Sequence, residues 1–241
     1  MIGFIDIHTH ILPATDDGAK DMAEAITMLK MAWDCGTRMV VLTPHYRAAY
    51  KKIATSQIYE TFHQLVAEAQ QEVPGMELRL GRELHNEQDL PDKLRTGEAI
   101  ALAQTRYVLL EFSSVSLRSQ IVRGVENVLY SGYVPIIAHV ERYAAFREDK
   151  DLIDEVLNMG ALIQVNAESV LGENGWGTRR YCHKLLRTQK VHFIASDAHQ
   201  VDWRPPVLDK CWERISKKYG YHYAEQIFRQ NAEKILGNRE L

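Results

Sequence analysis

The chain has 241 residues, a formal net charge of −3, 46% hydrophobic and 25% charged residues, the balance of a globular protein with a substantial core. A slightly acidic chain offers no basic field to nucleic acid or acidic lipid, and no stretch has the length of a membrane span, so neither nucleic-acid binding nor membrane insertion is expected. Three widely spaced cysteines, Cys35, Cys182 and Cys211, argue against a disulfide framework and for reduced thiols in a cytoplasmic protein.

Residues 1–11 are apolar but short, and Asp6, His8 and His10 interrupt them; they lack the basic start and long apolar run of a secretory leader. Within them, 4–8 predicts a first strand. A helix over 21–35 follows, with Met22, Ile26, Leu29 and Trp33 on one stripe and Gly36 as its stop. A strand at 39–43 leads to a helix over 56–72, built on Tyr59, Phe62, Val66 and Ala69 and ending before Pro74. Strands at 78–83 and 107–112 flank residues 89–103, which read as a short helix and a loop. Helix 120–131, strand 134–139, helix 151–159, strand 161–166, helix 181–187, strand 192–196 and helices 207–218 and 223–236 complete the chain.

Val40-Val41-Leu42 and Val108-Leu109-Leu110 are apolar on consecutive residues, as in strands buried on both faces of a parallel sheet. Alternating strands and helices imply such a sheet. Seven units without a dinucleotide-binding glycine pattern favour a distorted TIM-like (β/α)7 barrel, one α/β domain over residues 1–241; an open doubly wound sheet is the alternative.

Active sites of such barrels form at the C-terminal ends of the strands. Those ends carry His8 and His10, His45, Glu83, Glu111, His139, and Asp197 with His199. The sixth ends in Asn166, a residue suited to lining a site. Carboxylates crowded there without cations would repel, and their burial would be costly; bound divalent metals resolve the conflict. His8 and His10 share one face of an extended strand. In Thr15-Asp16-Asp17-Gly18, Asp16 or Asp17 suits a helix cap, and Asp17 equally suits a metal ligand. His63, His85, His183, His192 and His222 lie off the pattern and read as structural or surface residues. Tyr46 and Tyr50 are candidates for the pocket mouth.

Together Asp6-Ile7-His8-Thr9-His10, Asp16-Asp17-Gly18, Thr43-Pro44-His45, Gly81-Arg82-Glu83, Leu110-Glu111-Phe112, Ala138-His139-Val140-Glu141-Arg142 and Ser196-Asp197-Ala198-His199 resemble the polymerase-and-histidinol-phosphatase (PHP) superfamily of metal-dependent phosphoesterases. Within it, the chain is similar to bacterial protein-tyrosine phosphatases of capsule and exopolysaccharide synthesis. The resemblance implies up to three metals per chain, manganese or alternatively iron; nitrogen and oxygen ligands without thiolate also admit zinc. It assigns His8, His10, Glu83 and Asp197 to one metal, Glu83, Glu111 and His139 to a second, and Asp17, His45 and His199 to a third. Asp at position 17, where many relatives carry His, points to the tyrosine-phosphatase group. Arg142 and Arg204 match arginines that grip phosphate. The implied partner is a phosphotyrosine protein, a membrane-anchored bacterial tyrosine kinase with a phosphorylated tail.

The implied chemistry is attack of a metal-activated hydroxide on phosphorus, with Arg142 and Arg204 neutralising phosphoryl oxygens and Asp197 or His199 passing a proton. A cysteine route requires Arg six positions after the nucleophile, where Cys35, Cys182 and Cys211 have Val41, Thr188 and Lys217. Rival readings are a small-molecule phosphatase such as a histidinol phosphatase, a metal-dependent C–N hydrolase, and a non-catalytic module that binds phosphoproteins. The last predicts missing ligands, and every ligand position is filled.

Overall fold

The computed structural model describes residues 3–47 and 53–241, so Tyr50 lies outside the described residues. Among the described residues nine strands run in chain order: β1 Phe4–Thr9, β2 Thr37–Leu42, β3 His45–Tyr46, β4 Glu77–Leu80, β5 Glu83–His85, β6 Tyr107–Glu111, β7 Val134–Ile137, β8 Leu162–Asn166 and β9 Phe193–Ala195. Every pairing is parallel, in the orders β1-β2-β4 and β3-β5-β6-β7-β8-β9. The expected α/β class with a parallel sheet is therefore present.

Two expected strands are broken. The strand expected over 39–43 ends at Leu42 and resumes as β3 after Thr43-Pro44, where Pro44 has no amide hydrogen to give, and that expected over 78–83 is interrupted at Gly81-Arg82. Pairing continues across the breaks: Gly81 N–H donates to the Leu42 carbonyl at 2.9 Å and Glu83 N–H to the Pro44 carbonyl at 3.3 Å. At the far side, Asp197 N–H donates to the His8 carbonyl at 2.9 Å and His10 N–H to the Ala198 carbonyl at 2.7 Å. The parallel sheet thus curls until the segment after β9 meets the end of β1.

The helices are α1 Met22–Asp34, α2 Thr55–Glu72, α3 Leu90–Thr96, α4 Arg118–Tyr130, α5 Ala144–Glu148, α6 Leu152–Met159, α7 Ala167–Leu171, α8 Trp176–Arg187, α9 Asp209–Tyr219, α10 Tyr221–Glu225 and α11 Asn231–Leu236. The short α5 and α7 were not foreseen, being too brief to show a 3.6-residue period. The expected helix over 223–236 is interrupted by a π-turn at Gln226–Gln230. The cap of α1 is Asp21, whose carboxylate accepts from Glu24 N–H at 2.9 Å. Asp16 and Asp17 are thereby released from that duty.

Consecutive strand residues feed different cores. Val108 and Leu110 pack with Ile121, Val125 and Val128 of α4, whereas Leu109 joins Ile136 and Phe193. Each such fully buried side chain contributes about 1.5–3 kcal/mol, and their two-sided burial holds the strand ends in fixed relative positions.

His192, read from sequence as structural or surface, sits where β9 begins. Its Nδ1 accepts from Ile163 N–H at 3.1 Å, and its own N–H donates to the Ile163 carbonyl at 2.9 Å. Burial holds this imidazole down to about 4, and its accepting nitrogen must be unprotonated. The unfolded chain therefore takes up the proton first as pH falls, and stability is lost between pH 6.5 and about 4. In metal-free protein, wild type should lose roughly 1–3 kcal/mol more stability over that window than His192→Asn, which keeps an acceptor without the titration. Parallel denaturant-midpoint curves for the two proteins would refute this assignment.

Candidate metal centre

The C-terminal edge of the curled sheet gathers all nine expected ligands. Their donor atoms form overlapping groups, each within 4.8 Å: His10, Asp17, His45 and His199; His8, His10 and Asp197; His8, Glu83 and His139; and His45, Glu83 and Glu111. All but Asp17 are buried or nearly so. The partition differs in detail from the one implied by resemblance, since His10 also reaches the group of Asp17 and His45 also reaches Glu83.

The tightest arrangement surrounds His8 Nε2 and His10 Nε2, which lie 3.3 Å apart. Glu83 Oε2 is 3.3 Å from each, and so is Asp197 Oδ1. His8, His10 and Asp197 lie close enough together to hold one ion, with Glu83 bordering them from the neighbouring group. Glu83 extends the cluster in two directions: Oε2 is 3.0 Å from His45 Nδ1, and Oε1 is 2.8 Å from His139 Nε2.

Hydrogen bonds behind the rings aim their lone pairs inward. His10 Nδ1 donates to Asp16 Oδ2 at 2.7 Å, His8 Nδ1 to Gln164 Oε1 at 3.2 Å, and His199 Nδ1 to the Asp197 carbonyl at 2.8 Å. In each neutral ring this leaves Nε2 as the free acceptor. Several lone pairs and carboxylate oxygens facing one another in a buried space fit divalent cations, and such outer partners are what metal-binding imidazoles require. Gln164 Oε1 also accepts from His139 N–H at 2.7 Å, Gln164 Nε2 donates to Asn166 Oδ1, and Asn166 Nδ2 donates to Asp197 Oδ2.

Charge follows the same logic. Burial pushes the Glu83 and Asp197 carboxyls up, but His8 and the other neighbours outweigh it and hold both well below the usual carboxylate range. Burial likewise pulls His8 and His10 down, yet the surrounding carboxylates leave both raised. Without metal the cluster is balanced by protons; metal binding exchanges them.

Arg142 Nη1 and Arg204 Nη1 both lie 2.8 Å from Asp197 Oδ2, the oxygen turned away from His8 and His10. The Trp203 ring covers Arg204, its centroid 4.1 Å from the guanidinium carbon. Arg142 also meets Glu168 at 3.1 Å and lines a cavity of about 480 Å3 whose floor includes His139 and Glu111. His139, Asp197 and Arg204 have φ of 32°, 53° and 52°, left-handed conformations that cost energy outside glycine. Gly18 serves a different constraint. A Cβ there would sit 1.8 Å from the His10 carbonyl oxygen, so only glycine lets the 16–18 loop fold over His10 and deliver Asp16 and Asp17.

Sequence reasoning passed over several contributors. Asp16 orients His10 and accepts from His45 N–H at 2.9 Å. His85, set aside as structural or surface, lies 3.3 Å from Glu111 and lines the cavity; its two-residue spacing from Glu83 was the available signal. Tyr143 is fully buried, its hydroxyl accepting from Phe112 N–H at 3.1 Å and lying 3.2 Å from His139 Nδ1.

Tyr143→Phe removes only that hydroxyl. It should weaken manganese binding by roughly 10-fold through the looser His139 ring, measured by metal titration. Unchanged affinity would mean that the hydroxyl serves Phe112 alone.

Residues 4–237 match the family model for capsular polysaccharide synthesis, CpsB/CapC. The tyrosine-protein phosphatase CpsB of Streptococcus pneumoniae is 33% identical over 237 residues, covering 96% of this chain and 98% of the relative. The tyrosine-protein phosphatase YwqE of Bacillus subtilis is 32% identical, covering 98% and 93%. A solved structure described as one of YwqE from Bacillus subtilis and CpsB from Streptococcus pneumoniae, metal-dependent tyrosine phosphatases, superposes with TM-score 0.92 at 30% identity, over 98% of this chain and 96% of that one. The phosphotriesterase homology protein of Escherichia coli shares the fold at TM-score 0.63 and 11% identity, over 98% and 99% of the two chains. With a family model spanning nearly its whole length and relatives at this identity, the chain belongs to the CpsB/CapC family of capsular polysaccharide synthesis.

Proposed function

We propose that this chain is a metal-dependent protein-tyrosine phosphatase, a single unit over residues 1–241 whose nine strands count as the seven staves of a TIM-like barrel. The observation that carries the reading is Asp197, with one oxygen among imidazole nitrogens and the other receiving both arginines. A site of that form sets a phosphoryl group between a metal cluster and two guanidinium groups. The proposed ligand sets for three ions are His8, His10, Glu83 and Asp197; Glu83, Glu111 and His139; and Asp17, His45 and His199, a division supported by the overlap of the donor groups at Glu83, His8, His10 and His45. Manganese is the proposed metal, with iron or zinc as alternatives.

Bound metals would polarise phosphoryl oxygens and lower the pKa of a water toward neutrality. Arg142 and Arg204 hold the equatorial oxygens and meet the charge that shifts onto them in the transition state. Their shared contact with Asp197 sets the spacing between them before substrate arrives. A tyrosinate leaving group, with a pKa of about 10, needs little protonation as it departs. His199 stands beside Asp197, its ring pushed far down by burial and by His10, so it serves as an acceptor or ligand rather than as a standing acid. The thiols offer no rival route. Burial pushes Cys182 and Cys211 up, the reverse of what a nucleophilic thiolate needs.

The proposed substrate is a phosphotyrosine protein, such as a bacterial tyrosine kinase that governs capsule or exopolysaccharide synthesis, and the proposed compartment is the cytoplasm. No helix among the described residues is long and apolar enough to cross a membrane.

Purified protein assayed on p-nitrophenyl phosphate and a phosphotyrosine peptide should lose activity on chelation, regain it with manganese, and be inactive as His139→Ala. Arg142→Ala and Arg204→Ala should each lower kcat/KM by about 10²–10³. Turnover confined to histidinol phosphate would replace the protein substrate with a small molecule. Activity spared in Arg142→Ala would point to C–N bond hydrolysis instead.

A further inference from the structure

The cavity beside the candidate metal centre extends as a groove beyond the ligands into a neighbouring one. The cavity floored by His139 and Glu111 adjoins a second one of about 420 Å3, and His85, Glu87 and Ser113 line both. The second continues away from the metal ligands along α4, between Asn86 and Gln88 on one side and Gln120, Arg123 and Asn127 on the other. Its lining is polar and rich in side-chain hydrogen-bonding groups, the character of a channel for a peptide backbone rather than for an apolar ligand.

The placement of α4 is deliberate. A Cβ on Gly124 would lie 2.6 Å from Asn86 Oδ1 and 2.7 Å from the Phe112 ring, so glycine lets the helix press directly onto the groove floor. That close approach sets the neighbouring Arg123 on the groove wall.

The charges along the groove are unevenly spent. Glu111 is met by Arg47 at 2.6 Å and His85 at 3.3 Å, and Glu87 by Lys93 at 2.9 Å. Arg142 is engaged with Asp197 and Glu168. Arg123 is exposed, lines the second cavity and makes no ion pair among the described residues. A chain with net charge −3 thus keeps an uncommitted cation at the outer end of the groove that leads to its metal centre.

We propose that this groove receives the residues on one side of the phosphotyrosine and that Arg123 selects an acidic side chain among them. The inference rests on the tyrosine-phosphatase reading and names its substrate class: phosphotyrosine peptides with Asp or Glu a few residues from the phosphorylated position.

The test uses the manganese-loaded full chain and a set of phosphotyrosine peptides in which Glu, Ala or Lys occupies each of four positions before and after the phosphotyrosine. Wild type should favour Glu over Lys on one side only, by about three- to fivefold in KM with kcat unchanged, an advantage that shrinks as salt rises. Arg123→Ala should erase the preference and Arg123→Glu should reverse it. Both variants should hydrolyse p-nitrophenyl phosphate as wild type does, because that ester has no residues to extend into the second cavity, which Arg123 lines. Wild-type indifference to flanking charge, or a preference that survives Arg123→Glu, would overturn the proposal while leaving the phosphatase intact. A wild-type protein inactive on p-nitrophenyl phosphate and on every peptide would bring down the phosphatase reading and the proposal with it.

Discussion

Glu83 and Asp197 are carboxylates with 1% exposure each, and much of this structure answers the cost of putting them there. An isolated buried carboxylate would be unfavourable by several kcal/mol or would take up a proton. Here each is ringed by imidazoles, and Asp197 also by two guanidinium groups. The compensation works only if strands distant in sequence end at one height. Parallel pairing supplies that alignment, and apolar packing on both faces of strands such as β6 keeps it. The breaks at Pro44 and Gly81 fall one and two residues before ligands. They let the chain turn into the site without losing its neighbour, as the bonds from Gly81 to Leu42 and from Glu83 to Pro44 show.

What could be read from the sequence follows from this division of labour. Strands and long helices declared themselves because two-sided burial and a 3.6-residue stripe both leave marks on composition. The candidate ligands stood out because they occupy a repeated position, the ends of six of the seven expected strands. Side chains that act through another residue leave no such mark. Gln164 is an isolated polar residue between Ile163 and Val165 of a buried strand, and its part in orienting His8 and holding the His139 backbone appears only in the folded sheet. Asp16 looked like a helix cap because capping and metal support draw on the same short acidic residues; the geometry gives the cap to Asp21. Tyr143 lies beyond its strand, in a segment whose short helix has no detectable period. His85 was discounted for want of a strand end, although spacing by two from Glu83 placed it on the same face of β5.

Strain marks the same residues. His139, Asp197 and Arg204 hold left-handed backbone without being glycine, at a cost on the order of 1–3 kcal/mol each. A glycine at any of them would relieve the strain and delete the group the site needs. His139 turns immediately after Ala138, and its amide is caught by Gln164. Arg204 closes a tight turn in which its carbonyl accepts from His199 N–H and the Trp203 carbonyl from Gln200 N–H. The turn ties a candidate metal ligand to a candidate phosphate-binding arginine, so neither can move alone.

Asp197 joins the two halves of the centre, and this has a consequence for how a phosphate would be received. Both arginines already rest on its outer oxygen, which also accepts from Asn166. A phosphoryl group between them need not organise two flexible side chains, whose ordering would otherwise cost up to ~2 kcal/mol each. It need only share guanidinium groups that present several N–H donors apiece. His8 and then Arg142 hold the Asp197 carboxylate ionised against its burial, and the two arginines fix it in an orientation where its inner oxygen faces the imidazole nitrogens. Removing either guanidinium therefore loosens the inner oxygen as well as the phosphate grip. If Asp197 binds metal and the two arginines bind phosphate as proposed, metal affinity and substrate affinity are coupled through one side chain, and variation at Arg142 or Arg204 acts on both.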